Sequence, residues 1–371
     1  MRKLTRIAVA AAVALATLTA CGGDGDQAGT AEETVRWAIP GVTTAPAQAM
    51  AGLLPVVLGY WEEEGVNVEI QRLAGAGEVV QSLAAGQTDV GNISTGNLLE
   101  ARQAGSEIVA FYTQFTKNFL APAVPEDSDI ESIADMRGAT IGVASLESGT
   151  IPLITSMLGS EGISEDEVTF VAVGRGSDVA EVLNRGRIDV VGLPDSDQAA
   201  LEALGIPLRV ISNDYFDSLG FQQVQVASSE WMEGRKDTIV KLHRAFAKAT
   251  LFAMENPEAV VRLNWAAFPE SRPTDVPEAE ALAREIKILE GRLNNLEPVD
   301  GVWGLSTEEQ IRTAVEVYAG GASAAEEFTI SDFWTDEYLN EINDFDADEV
   351  VQQARDFDFD TIDELVEGFG G

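Results

Sequence analysis

A unit of helix, glycine turn and strand occurs twice in this chain, one hundred residues apart. Val79, Leu83, Gly86, Asp89 and Val90 return as Val179, Leu183, Gly186, Asp189 and Val190. Each copy has an apolar i, i+4 pair on one helix face, a glycine where the helix end needs positive φ, and a strand opening on Asp-Val. A chain that repeats such a unit is constrained to two lobes of similar construction. Length agrees, because 371 residues exceed the roughly 100–200 that one compact core serves.

Around each copy, strand and helix patterns alternate. In the first lobe strands are expected at 35–39, 66–73, 89–93 and 107–115, with helices at 47–64, 77–85 and 98–104. In the second, strands are expected at 139–144, 168–173 and 208–211 around a helix at 150–159. This βαβ alternation predicts parallel strands with helices on both faces of each sheet. After an extended run at 221–227 the chain turns helical, with helices expected at 238–255, 257–267, 277–289 and 307–318. A late helical block that packs back on the first lobe divides the chain into 34–118 plus 226–340 as lobe 1, 119–225 as lobe 2, and 341–371 as a C-terminal helical extension. The crossings near Asn118 and Gln222 would then form a hinge.

The N-terminus reads as a processing signal. Arg2, Lys3 and Arg6 precede an apolar stretch from Ile7 to Leu18, and small residues lead into Cys21, the single cysteine of the chain. The stretch is short for a membrane span, and the pattern matches a bacterial lipoprotein signal cleaved before a lipidated cysteine. Residues 1–20 are thus expected to be removed, Cys21 to carry the lipid, and the Gly- and Asp-rich residues 21–33 to act as a linker. With no second cysteine, an exported body has no disulfide and depends on packing and hydrogen bonding. The formal charge of −38 repels nucleic acid and anionic lipid, and no basic patch with interleaved aromatics offsets it.

Three strings stand in order along the chain: 59–69 (GYWEEEGVNVE), 83–91 (LAAGQTDVG) and 133–143 (IADMRGATIGV). The ordered set resembles the solute-binding proteins of bacterial ABC importers, in the group that includes nitrate, sulfonate and taurine binders and binders of thiamine-pyrimidine precursors. The resemblance covers about residues 34–267. It implies a type II periplasmic-binding-protein-like α/β fold, with three-layer αβα lobes, hinge crossovers and a ligand between them. It also implies a monomer that hands a small solute to an ABC permease and its ATPase, without metal or cofactor. Relatives of this group include pyrimidine-forming enzymes of thiamine synthesis, so an enzyme on the same fold is the alternative.

In α/β sheets ligands lie beyond the carboxyl ends of strands, where helix N-termini present free N–H groups. Four such turns are polar here. Thr43, Thr44 and Ala45 precede Pro46; Ser94, Thr95, Gly96 and Asn97 follow the third strand; and Asp195 answers Thr95 in the second copy. Ser145, Ser148, Gly149 and Thr150 form the fourth, at which the resemblance puts ligand contacts. A cleft-facing Asp195 would suit an amine or amino-heterocycle better than an inorganic anion, and Glu147 points the same way. A taurine-like zwitterionic sulfonate or an aminopyrimidine fits that charge. Among aromatics, Phe119 at the crossover is the first candidate for an apolar wall, ahead of Trp37, Tyr215, Phe221 and Trp265.

Catalytic chemistry has few carriers. The lone histidine, His243, lies in a helical stretch beside Lys241 and Arg244 and is expected at the surface, so neither a His-based triad nor a zinc set can form. The glycines at 75–77 and 174–176 do not extend to a dinucleotide fingerprint. The acidic runs at 344–348 and 356–360 lack the glycine of a calcium loop.

Overall fold

Two five-stranded sheets are built in the same strand order. The computed structural model describes residues 34–41, 44–146, 148–367 and 369; Cys21, the expected leader and linker, Thr43 and Glu147 lie outside these. The first sheet contains β1 (Thr34–Pro40), β2 (Asn67–Leu73), β3 (Val90–Ser94), β4 (Ile108–Phe115) and β10 (Gln223–Ser228), ordered β2-β1-β3-β10-β4. The second contains β5 (Ala123–Pro125), β6 (Thr140–Val143), β7 (Thr169–Ala172), β8 (Val190–Gly192) and β9 (Leu208–Val210), ordered β7-β6-β8-β5-β9. In each sheet the one antiparallel strand is the first that the chain lays down after crossing between sheets: β5 on the way out, β10 on the way back. The other pairings are parallel.

Ten helices have eight or more residues among those described: α1 (Ala76–Ala84), α2 (Thr95–Gln103), α3 (Thr150–Ser160), α4 (Ser177–Asn184), α5 (Asp195–Ala203), α6 (Lys236–Glu255), α7 (Pro257–Ala267), α8 (Glu278–Leu293), α9 (Glu308–Ala319) and α10 (Ala347–Arg355). Parallel neighbours cannot be joined by a hairpin, so helices carry the crossovers.

The repeat is a structural one. Val79 and Leu83 are buried under α1, Val179 and Leu183 under α4, and Gly86 and Gly186 end the two helices at φ 65° and 61°. The repeated aspartates perform one job. Asp89 Oδ2 accepts from Arg36 N at 2.8 Å while Asp89 N donates to Arg36 O at 2.9 Å. Asp189 Oδ2 accepts from Thr140 N at 2.8 Å while Asp189 N donates to Thr140 O at 2.8 Å. Each clips the entry of its strand to the next strand of the sheet.

The expected helix at 47–64 is three short pieces, Pro46–Ala51, Leu54–Val57 and Tyr60–Glu63. Pro55 lacks an N–H and crowds the preceding turn, and Gly59 sits at φ 74°, which no helix continues through. His243 also departs from expectation. It is fully buried on α6, ringed by Trp37, Phe111, Tyr112 and Phe246, because α6 lays that face on the first sheet. The helix α10 packs on α6 and is held from either side by Tyr60 Oη, which bonds Gln353 Oε1 at 2.6 Å, and by Asn256 Nδ2, just past the end of α6, which bonds Ala354 O at 2.7 Å.

Candidate functional site

Each sheet ends, at its third strand, in a helix whose first residue is tied to a crossover. In the first, Ser94 caps α2: its Oγ accepts from Asn97 N at 3.3 Å and donates to Asn97 Oδ1 at 2.7 Å. Thr95 is buried and spends both polar groups on the return crossover, its N–H on Gln222 O at 3.1 Å and its Oγ1 on Phe221 O. Gly96 leaves room for Tyr318, whose ring would lie 3.5 Å from a side chain there. In the second, Asp195 N–H bonds Phe119 O at 2.9 Å on the outward crossover. The crossovers are joined to each other, since Gln222 Nε2 donates to Asn118 Oδ1 at 2.9 Å.

The Ser145–Thr150 turn joins this arrangement from the side. Thr150 Oγ1 donates to Gly192 O at the end of β8 (3.0 Å), and Ser148 Oγ lies 2.8 Å from Thr150 Oγ1. Ser145 O accepts from Ser148 N at 3.1 Å, and Gly149 precedes α3 at the exposed rim. Thr44 is further off. Its carbonyl accepts from Asn264 Nδ2 of α7 at 2.7 Å, and the exposed Ala45 leads into Pro46 in the first turn of the 46–51 segment, which packs on α8. Hydrogen bonds therefore connect three of the four sequence-selected turns through the crossovers and β8, and the fourth reaches α5 only by way of α8.

Asp195 is not an open carboxylate. Oδ1 accepts from Ser196 N at 2.6 Å and pairs with Arg292 Nη2 at 2.8 Å, and Oδ2 accepts from Asn295 Nδ2 at 2.7 Å. The pair is buried, with side chains 11% and 14% exposed for Asp195 and Arg292. Burial pushes the Asp195 carboxyl up against the opposing pull of Arg292, and it pushes the Arg292 guanidinium down. Arg292 also donates to Ser196 Oγ at 2.9 Å and lies over two rings, 4.8 Å from the centroid of Phe115 and 5.1 Å from that of Phe119. The rings of Phe119, at the outward crossover, and Phe115 stack on each other with centroids 4.3 Å apart. Arg292, Asn295 and Phe115 escaped sequence reasoning. The first two stand about one hundred residues from Asp195, Arg292 at the end of α8, whose spacing shows only amphipathy, and Asn295 in the turn just after it.

Of the other aromatic candidates, Trp37 packs in the first core, Phe221 on the return crossover is buried against Trp334, Trp265 lies under Arg272, and Tyr215 is exposed.

Residues 52–260 match the family described as NMT1/THI5 like. A curated relative, the 4-amino-5-hydroxymethyl-2-methylpyrimidine phosphate synthase of Schizosaccharomyces pombe, is 26% identical over 220 residues, which cover 55% of this chain and 62% of that enzyme's length. The riboflavin-binding protein RibY of Chloroflexus aurantiacus is 23% identical over 285 residues, covering 74% of this chain and 78% of RibY. Among solved structures, the alkanesulfonate-binding protein SsuA of Xanthomonas axonopodis pv. citri, bound to MOPS, superposes with a TM-score of 0.52 at 16% identity. That match covers 79% of this chain and 93% of SsuA. The architecture is the α/β periplasmic-binding-protein fold. By the match that runs from the broken 46–63 segment into α7, the chain belongs to the NMT1/THI5-like family.

Proposed function

We propose that this protein is the solute-binding component of an ABC importer. It holds a small polar organic solute between lobe 1, residues 34–118 plus 226–340, and lobe 2, residues 119–225, and delivers it to a membrane permease served by an ATPase. The body is a monomer tethered outside the cytoplasmic membrane by the lipid on Cys21. One observation carries the reading: Thr95 and Asp195, first residues of corresponding helices, are each hydrogen-bonded to one of two crossovers that bond each other. A rotation at the crossovers moves both helix starts together, which is what hinge closure on a ligand needs.

An enzymatic reading has the synthase relative in its favour. Against it, the one histidine is sealed in an aromatic core with its Nδ1 on Ile239 O, out of reach of any cleft. A thermal-shift screen over sulfonates, pyrimidines, amino acids and inorganic anions decides between them. Saturable stabilisation with the compound recovered unchanged is the expected result; ligand at one hundred times Kd adds about 2.7 kcal/mol. Chemical turnover of the stabilising compound would establish the enzyme instead, and a flat response across the panel would remove the binding reading.

A further inference from the structure

Thr116, on the outward crossover, is buried and turns its N–H, its hydroxyl and its carbonyl to the late part of the chain. Its N–H donates to Asn295 O at 3.1 Å, its Oγ1 donates to Glu297 O at 2.6 Å, and its carbonyl accepts from Gln310 Nε2 at 3.0 Å. Next to it, Lys117 Nζ pairs with Glu297 at 2.5 Å. Arg292 lies over Phe115 and Phe119, the residues that flank 116–118 in sequence. Residues 292–297 therefore brace the whole of 115–119. The return crossover leaves no room to slide: a side-chain carbon at Gly220 would come 2.8 Å from Thr116 O and 2.7 Å from Gln310 Nε2. Asn295 carries the brace further. While its carbonyl holds Thr116, its Nδ2 donates to Asp195 Oδ2 at 2.7 Å and to Gly291 O at 3.2 Å. A carboxylate and a carbonyl can only accept, so the amide nitrogen belongs on that side. One residue thus bonds both the crossover and the first residue of α5.

We propose that residues 292–297 form a third, non-covalent limb of the hinge, and that Asn295 is the positioning residue that fixes the start of α5 to the outward crossover. The proposal rests on the binding-protein reading above and on its division into lobes. With the crossovers alone, α5 would hang from 115–119 by the bond from Asp195 N–H to Phe119 O, and a single bond leaves a helix start free to tilt. The second attachment, at the Asp195 carboxylate, removes that freedom, so α5 follows the crossover when the second lobe swings. Arg292 holds the same carboxylate by its other oxygen and reaches Ser196 Oγ, which spreads the hold over the first two residues of the helix. A helix start that is ordered before the solute arrives loses less freedom on binding, and affinity gains accordingly.

The test uses the full mature protein and reads three quantities: amide hydrogen exchange at 195–198, Tm, and calorimetric affinity for taurine, MOPS, riboflavin, glycine and nitrate as probes. Asn295→Asp sets a second carboxylate against Asp195. It is expected to speed exchange at 195–198 about tenfold or more and to weaken the best probe about tenfold. The double variant Asn295→Asp with Asp195→Asn keeps the wild-type charge and exchanges donor for acceptor, and it is expected to restore both to within about threefold of the wild type. If Asn295→Asp does not fold, Asn295→Ala removes the same bond without adding charge and should move exchange and affinity in the same directions. A fall in Tm with wild-type exchange at 195–198 and wild-type affinity would make Asn295 a helix-end residue only and overturn the inference. Losses that the exchanged pair fails to repair overturn it as well; in both cases the binding-protein reading stands. Saturable binding of no probe by the wild type overturns both.

Discussion

His243 shows how far a single residue can depart from its sequence surroundings. Lys241 and Arg244 flank it, yet its ring centroid lies 5.3 Å from Trp37, 4.8 Å from Phe111 and 5.3 Å from Tyr112. Burial pushes its pKa down to about 3, with only the Ile239 carbonyl working the other way. The folded value lies below the unfolded one, about 6.5, so the unfolded chain binds the extra proton between these limits. The neutral ring's contribution is complete above pH 6.5 and is lost as pH falls toward 3, at up to about 1.4 kcal/mol per pH unit. His243→Phe keeps an aromatic ring in the cage and removes the proton site. Denaturant melts at pH 7.5 and pH 5 should show the variant gaining on the wild type by about 1–2 kcal/mol at the lower pH; an equal pH dependence in both would mean the imidazole reaches water. Charge patterning pointed to a surface because the residues at positions 241 and 244 do face outward. The i, i+3 and i, i+4 neighbours of His243, which decide its face, are Ile239, Phe246 and Ala247, all buried.

At the scale of elements, what was legible is what neighbours in sequence decide. The paired Val-Leu helices, the glycine stops and the Asp-Val strand entries are local signals, and α1, α4, β3 and β8 lie within a residue or two of where those signals put them. Gly91 sharpens the point. α1 packs so closely on β3 that a side-chain carbon at Gly91 would sit 2.5 Å from Val79 and 2.9 Å from Leu83. Gly91→Val should therefore displace α1 and cost about 1–3 kcal/mol, read as a lower urea midpoint at unchanged m; full stability would show that α1 yields freely. Other features were illegible for reasons of distance. β5 has three residues and one is proline, too little for any periodicity, and the antiparallel sense of β5 and β10 is set by partners far away in the chain. Of the candidate site, the hydroxyl turns at Ser94, Thr95, Ser148 and Thr150 could be read because strand-to-helix turns announce themselves. The hydrogen bonds that join Asn92, Gln114, Gln223 and Gln225 on the first sheet could not be read: Gln223-Val224-Gln225-Val226 alternates like a strand with one wet face, and only its register against Asn92 and proximity to Gln114 make a network.

For the whole molecule, α8 is the element on which the proposed opening turns. It packs on α7 and on the 46–51 segment, both of which lie against α6 of the first sheet, and its longest contact is with α5, which starts at the end of β8 in the second. That contact combines the Asp195–Arg292 pair, the Lys287–Glu202 pair at 3.6 Å and a steric fit in which Gly291 lies over Ala199. A side-chain carbon at Gly291 would come 2.7 Å from Ala199 Cβ, so the helices touch there with no spare volume. If the two sheets belong to separate lobes that rotate about the crossovers, Gly291→Leu acts as a wedge: it separates α5 from α8 and favours the open arrangement without disturbing either sheet. A wedge worth about 2 kcal/mol against closure weakens the apparent affinity for the best probe about thirtyfold. Small-angle scattering should then show a larger radius of gyration than the wild type, contracting only at proportionately higher ligand concentration. A variant that loses Tm while keeping the wild-type radius and affinity would mean that α5 and α8 belong to one rigid body, and the moving parts would have to be sought elsewhere than at the crossovers.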